Sequence, residues 1–236
     1  MQYSTEAIVI KSTPYGEADL IVTYLTKDFG LINLFAKSPR KIKSRFGSSL
    51  EPLTYSRISF IGREENLQRI IQSDIIRSFQ TLRENFSLFL KICDILRLLI
   101  NIVPHREPHP ELFSLILATS HCLENKSKTA NYLLYLKVQT LNMLGYFPDF
   151  RNCGICRRTL FEKFFYSQGF IVCERCLREK ELVPKPLTKG VIKILKELSS
   201  WKIEFLERVR ISSSLIDEAE SFLQIHTQTV LGYNKS

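Results

Sequence analysis

Ala7-Ile8-Val9-Ile10-Lys11 is the first of five short apolar, β-branched stretches in the N-terminal third of this chain. Leu20–Thr26, Leu31–Phe35, Thr54–Ile61 and Leu67–Ile71 follow it. Turn signals separate them: Pro14-Tyr15-Gly16, Phe29-Gly30 and Gly62-Arg63-Glu64-Glu65-Asn66. Five short strands with the longest irregular connection after the third predict an OB-type barrel over residues 1–79. Such barrels commonly grip single-stranded nucleic acid with their loops and one sheet face.

Beyond about Phe79 the apolar spacing changes to a helical period, and residues 80–236 read as a helical domain. Helices are expected over 80–103, 111–124, 128–144, 188–199 and 213–231. The first is apolar on nearly every face, which predicts a buried helix at the centre of a bundle. Lys91, Asp94 and Arg97 interrupt it, so it does not read as a membrane span. Pro104, Pro108 and Pro110 end it, because a helix interior cannot accommodate them. His105 and His109 in that proline-rich loop read as surface residues, not as a second metal site.

The helical region carries Cys153-Gly154-Ile155-Cys156 and, after sixteen intervening residues, Cys173-Glu174-Arg175-Cys176. Two C-x2-C knuckles at this separation can bring four thiolates around one Zn2+ ion. Four sulfur ligands would leave no position for a catalytic water, so the expected role is structural. Disulfides are the alternative. The opening Met1-Gln2-Tyr3-Ser4-Thr5-Glu6 lacks a basic region followed by an apolar run, so no secretory signal is expected, and thiols persist in a reducing compartment. Between the knuckles, Phe164–Val172 reads as a hairpin turning at Gln168-Gly169, within a zinc element spanning about 150–180. Cys93 and Cys122 lie in apolar stretches and read as small core residues. The fold class expected is α+β multidomain: an OB-fold barrel, then an α-helical domain with an inserted four-cysteine zinc element.

A net charge of +9 over 236 residues favours a polyanionic partner, nucleic acid before a membrane surface. Lys37, Arg40, Lys41, Lys43 and Arg45 concentrate that charge in nine residues with no acid among them. Pro39, Gly47 and the intervening serines make the segment a loop, and it occupies the third connection of the expected barrel. A solvated basic loop is one reading; a phosphate-contacting loop is the other. Tyr15 and Phe46, in loops, are the aromatic residues placed to stack on bases. Enzymatic readings find little support. There is no G-x-x-x-x-G-K-[ST] for nucleotide hydrolysis. A zinc deaminase needs an open metal position and a P-C-x-x-C, whereas Asn152 precedes Cys153 and Val172 precedes Cys173. An RNA-binding or transcription-associated OB/zinc-ribbon protein is compatible with the layout alone.

Two signatures add a family resemblance. Ala7–Val22, then Phe35-Ala36-Lys37-Ser38-Pro39-Arg40-Lys41, Ser44-Arg45-Phe46-Gly47 and Leu50-Glu51-Pro52, resemble the opening of the bacterial RecO family. Leu144-Gly145-Tyr146-Phe147-Pro148-Asp149-Phe150 and the paired C-x2-C motifs resemble that family's second signature. The resemblance implies an OB fold followed by a helical domain with a zinc-binding element, and a recombination mediator in DNA repair. It further implies binding to single- and double-stranded DNA and annealing of complementary strands. Action with RecR, and with RecF, is also implied, to load RecA onto DNA coated by single-strand-binding protein. The implied location is the bacterial cytoplasm, at the nucleoid.

Overall fold

In the computed structural model, which describes residues 1–40, 46–125, 128–159 and 165–232, the chain divides into two compact units, 1–127 and 128–236. The first is built on five strands: β1 (Gln2–Tyr15), β2 (Asp19–Thr26), β3 (Gly30–Ala36), β4 (Tyr55–Ile61) and β5 (Gln68–Arg77). They close into a barrel in the order β1-β2-β3-β5-β4, β4 returning to β1. This is the order of the expected OB-type barrel.

Strand β1 makes closure possible. Its N-terminal half pairs with β4 from Gln2 to Ile8, and its C-terminal half pairs with β2 from Ala7 to Tyr15. A register shift between Val9 and Lys11 bends the strand between these two roles. The closing pair, β3 with β5, is parallel and short, Leu34 opposite Gln68 and Phe35 opposite Arg69. Val9, Val22, Tyr24, Leu34, Ile58 and Phe60 fill the interior. Ile8 and Ile10 are buried as well, on the opposite face of β1. That explains the unbroken Ala7–Ile10 run: apolar alternation disappears where both faces of a strand are covered.

Three helices complete the first unit: α1 (Gln80–Glu84), α2 (Phe86–Ile102) and α3 (Pro110–Asn125). The single helix expected over 80–103 is broken at Asn85, whose backbone is extended and whose side chain accepts from the Leu88 N–H at 3.1 Å. Asparagine competes for backbone donors and starts a new helix more readily than it continues one. Nor is α2 enclosed on all sides. It packs on α1 and β1, leaving Phe86 71% and Leu90 50% exposed. Cys93 and Cys122 are partly exposed rather than sealed in a core.

The proline-rich link after α2 docks on the barrel. Arg106 N–H donates to Leu31 O at 3.0 Å, and His105 bridges Leu31. Gly30, at φ +65°, permits the approach: a Cβ there would lie 2.0 Å from the Glu107 carbonyl oxygen. Arg77 also pairs with Glu124 at 2.7 Å. The change of period near residue 79 therefore marks where strand pairing stops, while helices through Asn125 pack within the barrel's unit.

In the second unit, α4 (Thr129–Met143), α6 (Lys189–Ser200) and α7 (Ser213–Leu231) pack on one another. Val138, Leu195, Leu198 and Leu223 lie at their centre. Two polar side chains inside bond to backbone carbonyls: Gln139 donates to Leu198 O at 2.8 Å and Tyr135 to Trp201 O at 3.1 Å. Between α4 and α6 lie β6 (Phe165–Ser167), β7 (Phe170–Val172), α5 (Glu174–Glu179) and β8 (Lys185–Pro186). Among the described residues no helix is long and apolar enough to cross a membrane.

Candidate metal centre and basic barrel end

Strands β6 and β7 form the expected hairpin. Gln168 and Gly169, at φ +49° and +89°, make a turn with both central residues left-handed, the geometry that matches strand twist. The first knuckle lies against this hairpin, with Gly154 N–H donating to Ile171 O at 2.8 Å. A Cβ on Gly154 would stand 2.6 Å from that of Phe170, so a side chain here would push knuckle and hairpin apart. The second knuckle opens α5. Cys173 caps the helix, its sulfur accepting from Cys176 N–H at 3.4 Å.

The four sulfur atoms of Cys153, Cys156, Cys173 and Cys176 all lie within 4.8 Å of one another, and Cys156 and Cys173 are 3.8 Å apart. Four Zn–S bonds of about 2.3 Å at tetrahedral angles would give an edge of about 3.8 Å. The donor set thus fits a tetrahedral thiophilic ion held between knuckles. Charge points the same way. Burial opposes ionisation of Cys153, but N–H groups of Cys156, Cys173 and Ile155 outweigh it and bring its pKa down to about 6. Cys176 is pushed up to about 12, by burial first and then by the neighbouring thiols. Four thiolates this close repel one another unless a cation sits among them.

Both His105-Arg106-Glu107 and His109-Pro110-Glu111 have the H-x-E spacing of zinc deaminases, yet the four-sulfur group includes neither histidine. Of the arginines beside the knuckles, Arg175 and Arg178 are paired within α5 to Glu179 and Glu174, each at 2.6 Å. Arg151, Arg157 and Arg158 are exposed, with no ion pair among the described residues.

In the first unit the structure brings Tyr15, Lys37 and Arg40 to one end of the barrel. Tyr15 is 56% exposed and rests edge-on against Phe35, ring centroids 6.0 Å apart. The connection leaving β3 is tied to the β1–β2 turn, Ser38 N–H donating to Asp19 Oδ1 at 2.6 Å and Arg40 N–H to Ala18 O at 3.3 Å. Lys37 and Arg40 are exposed. Lys41, Lys43 and Arg45 lie outside the described residues. Asp19, three residues beyond Gly16, is a residue that hydrophobic patterning does not single out; its place at the start of β2, just past the turn, is the available signal.

Phe46 requires a correction. Its side chain is only 3% exposed and belongs to the barrel core beside Leu50. A short 3-10 helix, Gly47–Leu50, follows it and turns this end of the connection inward. No ring face remains for a base to stack on.

Comparison with known proteins agrees with this architecture. Residues 1–79 match the family model described as Recombination protein O N terminal, and residues 92–235 match Recombination protein O C terminal. A DNA repair protein RecO from Thermodesulfovibrio yellowstonii is 63% identical over 240 residues, covering 100% of this chain and 96% of the relative. Proteins of the same description from Dehalococcoides mccartyi and Myxococcus xanthus are 30% and 32% identical, over 97% and 80% of this chain. They are covered over 90% and 80% of their own lengths. On both matched regions and a full-length relative of this identity, the chain belongs to the RecO family of DNA repair proteins.

Proposed function

We propose that this chain is a non-enzymatic recombination mediator that binds single- and double-stranded DNA and anneals complementary strands. With RecR, and with RecF, it helps load RecA onto DNA coated by single-strand-binding protein, in the bacterial cytoplasm at the nucleoid. The observation that carries this reading is the end-to-end match to a DNA repair family over both regions. The barrel end supports it: exposed Lys37 and Arg40 beside an exposed tyrosine ring are the groups that neutralise phosphate and stack on a base. Annealing follows from the same chemistry. Cations that engage backbones lower the repulsion between two strands while leaving Watson–Crick edges free to pair.

Zn2+ is the ion proposed for the four-cysteine site. Cys153, Cys156, Cys173 and Cys176 would close its coordination sphere, so its contribution is folding free energy rather than catalysis. The test is annealing of complementary oligonucleotides coated with single-strand-binding protein. Acceleration by this chain, increased by RecR, is expected. No acceleration with or without RecR would refute the reading.

A further inference from the structure

A cavity of about 410 Å³ opens in the second unit between the Gly145–Asp149 segment, the first knuckle, the β6–β7 turn and the end of α7. That volume lies in the range of small-ligand pockets. Neither the metal centre nor the basic barrel end uses it. Its walls are Tyr146, Phe147, Phe170 and Ile171, and its polar lining includes Asn152 and Arg157. Phe170 is 54% exposed, a large ring left half in water at the start of β7. It is held there because Gly154 lets the knuckle backbone lie directly against it.

We infer that this cavity receives an unstacked base of single-stranded DNA, with the adjoining phosphate on the arginines beside it. Resting on the DNA-binding reading above, it adds a second contact in the four-cysteine unit. Three aromatic rings on one small cavity suit a flat π-face better than an extended aliphatic chain. The charge also fits. Arg157 lines the cavity, and Arg151 and Arg158, its neighbours along the chain, are exposed without ion pairs among the described residues. Asp149, the acid in the lining, stays ionised, its carboxylate accepting from Arg151 N–H at 2.8 Å and the Asn152 amide at 3.1 Å, and the three arginines outnumber it. His226 keeps both ring nitrogens on the protein, against the Tyr166 hydroxyl and Tyr146 O, and the Asn152 amide donates to Asp149; the exposed Gln168 amide, which can both donate and accept, discriminates little between bases. Stacking without a dedicated reader is the sequence-tolerant mode that annealing requires.

The full chain is titrated into a single-stranded oligonucleotide carrying 2-aminopurine. The parent, Phe170→Leu, Phe170→Tyr and Arg157→Asn are compared at matched zinc content. Asparagine is chosen because residue 157 sits at φ +60°, which asparagine tolerates. Phe170→Leu is expected to weaken binding about tenfold and abolish the change in 2-aminopurine fluorescence, with Phe170→Tyr restoring both. Arg157→Asn should reduce the slope of log K against log salt by about 0.7. Equal affinity and equal fluorescence change for parent and Phe170→Leu would overturn the inference. It would also be overturned if Phe170→Leu kept DNA but lost an acidic, aromatic-ended peptide that the parent binds, since the occupant would then be a protein tail. A parent that neither binds nor anneals DNA would refute the proposed function itself; annealing by Phe170→Leu at the parent's rate and affinity would remove only this cavity.

Discussion

The barrel and the four-cysteine element both hold irregular backbone in place, by opposite means. The barrel does so with a closed ladder of five strands, seven to fourteen residues long, around an apolar interior. The cysteine element has strands of three, three and two residues, too short to persist by pairing alone. There four sulfurs within 4.8 Å of one another offer a chemical cross-link once the proposed ion joins them. With zinc in place as proposed, one surface inherits its rigidity from many weak contacts and the other from one strong centre. Removing a single part should be graded in the first and close to all-or-none in the second.

The largest expected effect tests the second half of that contrast. Replacing Cys153 and Cys156 by Ser removes half of the ligand set. Structural zinc contributes on the order of 10 kcal/mol in small domains, so the second unit should become insoluble or lose its cooperative melt. Elemental analysis should find about one zinc per parent chain and none in the variant. A fragment covering residues 1–127 should be untouched by the loss and bind single-stranded DNA more weakly than the full chain, whereas residues 1–79 alone should fold poorly without α1–α3. If the double variant melts like the parent and loses only DNA binding, the metal belongs to the binding surface.

Next in size is Phe46→Ala, expected to cost about 3–5 kcal/mol because it empties a position in the barrel core. Thermal melting of the 1–127 fragment measures it, with zinc content unchanged. Tyr15→Ala is the matched control: an exposed ring resting on Phe35 should cost little stability while weakening DNA binding. Reversed outcomes would restore Phe46 as a DNA-stacking residue and break the comparison at the barrel end.

These two aromatics show what was legible beforehand and why. The strand pattern, the doubled cysteine spacing and the Gln168-Gly169 hairpin were readable because each depends on residues close in sequence. Phe46 was not, since a ring among serines and glycine looks like a loop residue until the chain folds it inward. The polar end of β1, Lys11 to Tyr15, escaped for a related reason: backbone pairing with β2 leaves no trace in hydrophobicity. The packing of α1–α3 within the barrel's unit is encoded in scattered contacts such as Gly30 with Glu107 and Arg77 with Glu124. No local period reports those.

A smaller effect concerns the basic connection. If Lys37, Arg40, Lys41, Lys43 and Arg45 all engage single-stranded phosphate, together they contribute a slope of about −3.5 in log K against log salt, at roughly 0.7 per contact. Changing Arg40, Lys41 and Lys43 to Glu should weaken binding for every sequence and flatten the slope by about 2. Stability should hardly move, as exposed charges contribute little to it. An unchanged slope would move the main DNA contact to Arg151, Arg157, Arg158, Arg175 and Arg178, giving the cysteine element the role assigned to the barrel.

The smallest effect probes how the second unit holds together away from its metal. His226 is 2% exposed, stacked on Phe222 at 6.0 Å and bonded to the Tyr166 hydroxyl and Tyr146 O. Burial lowers its pKa below the usual 6.5, against a smaller upward pull from the Tyr146 carbonyl. The unfolded chain, with an ordinary histidine, therefore takes up its proton at higher pH than the folded chain. Stability from this residue is complete above about pH 6.5 and declines as pH falls from there toward the lowered folded value. Melting of the second unit should drop between pH 7.5 and 5.5 in the parent. His226→Gln, which retains a donor for Tyr146 O but does not titrate, should lose that part of the slope. Zinc content measured at each pH separates this proton from those taken up by the cysteine ligands. A parent and variant with identical pH slopes at constant zinc would show that the centre alone, and not the packed imidazole, sets the acid limit of this unit.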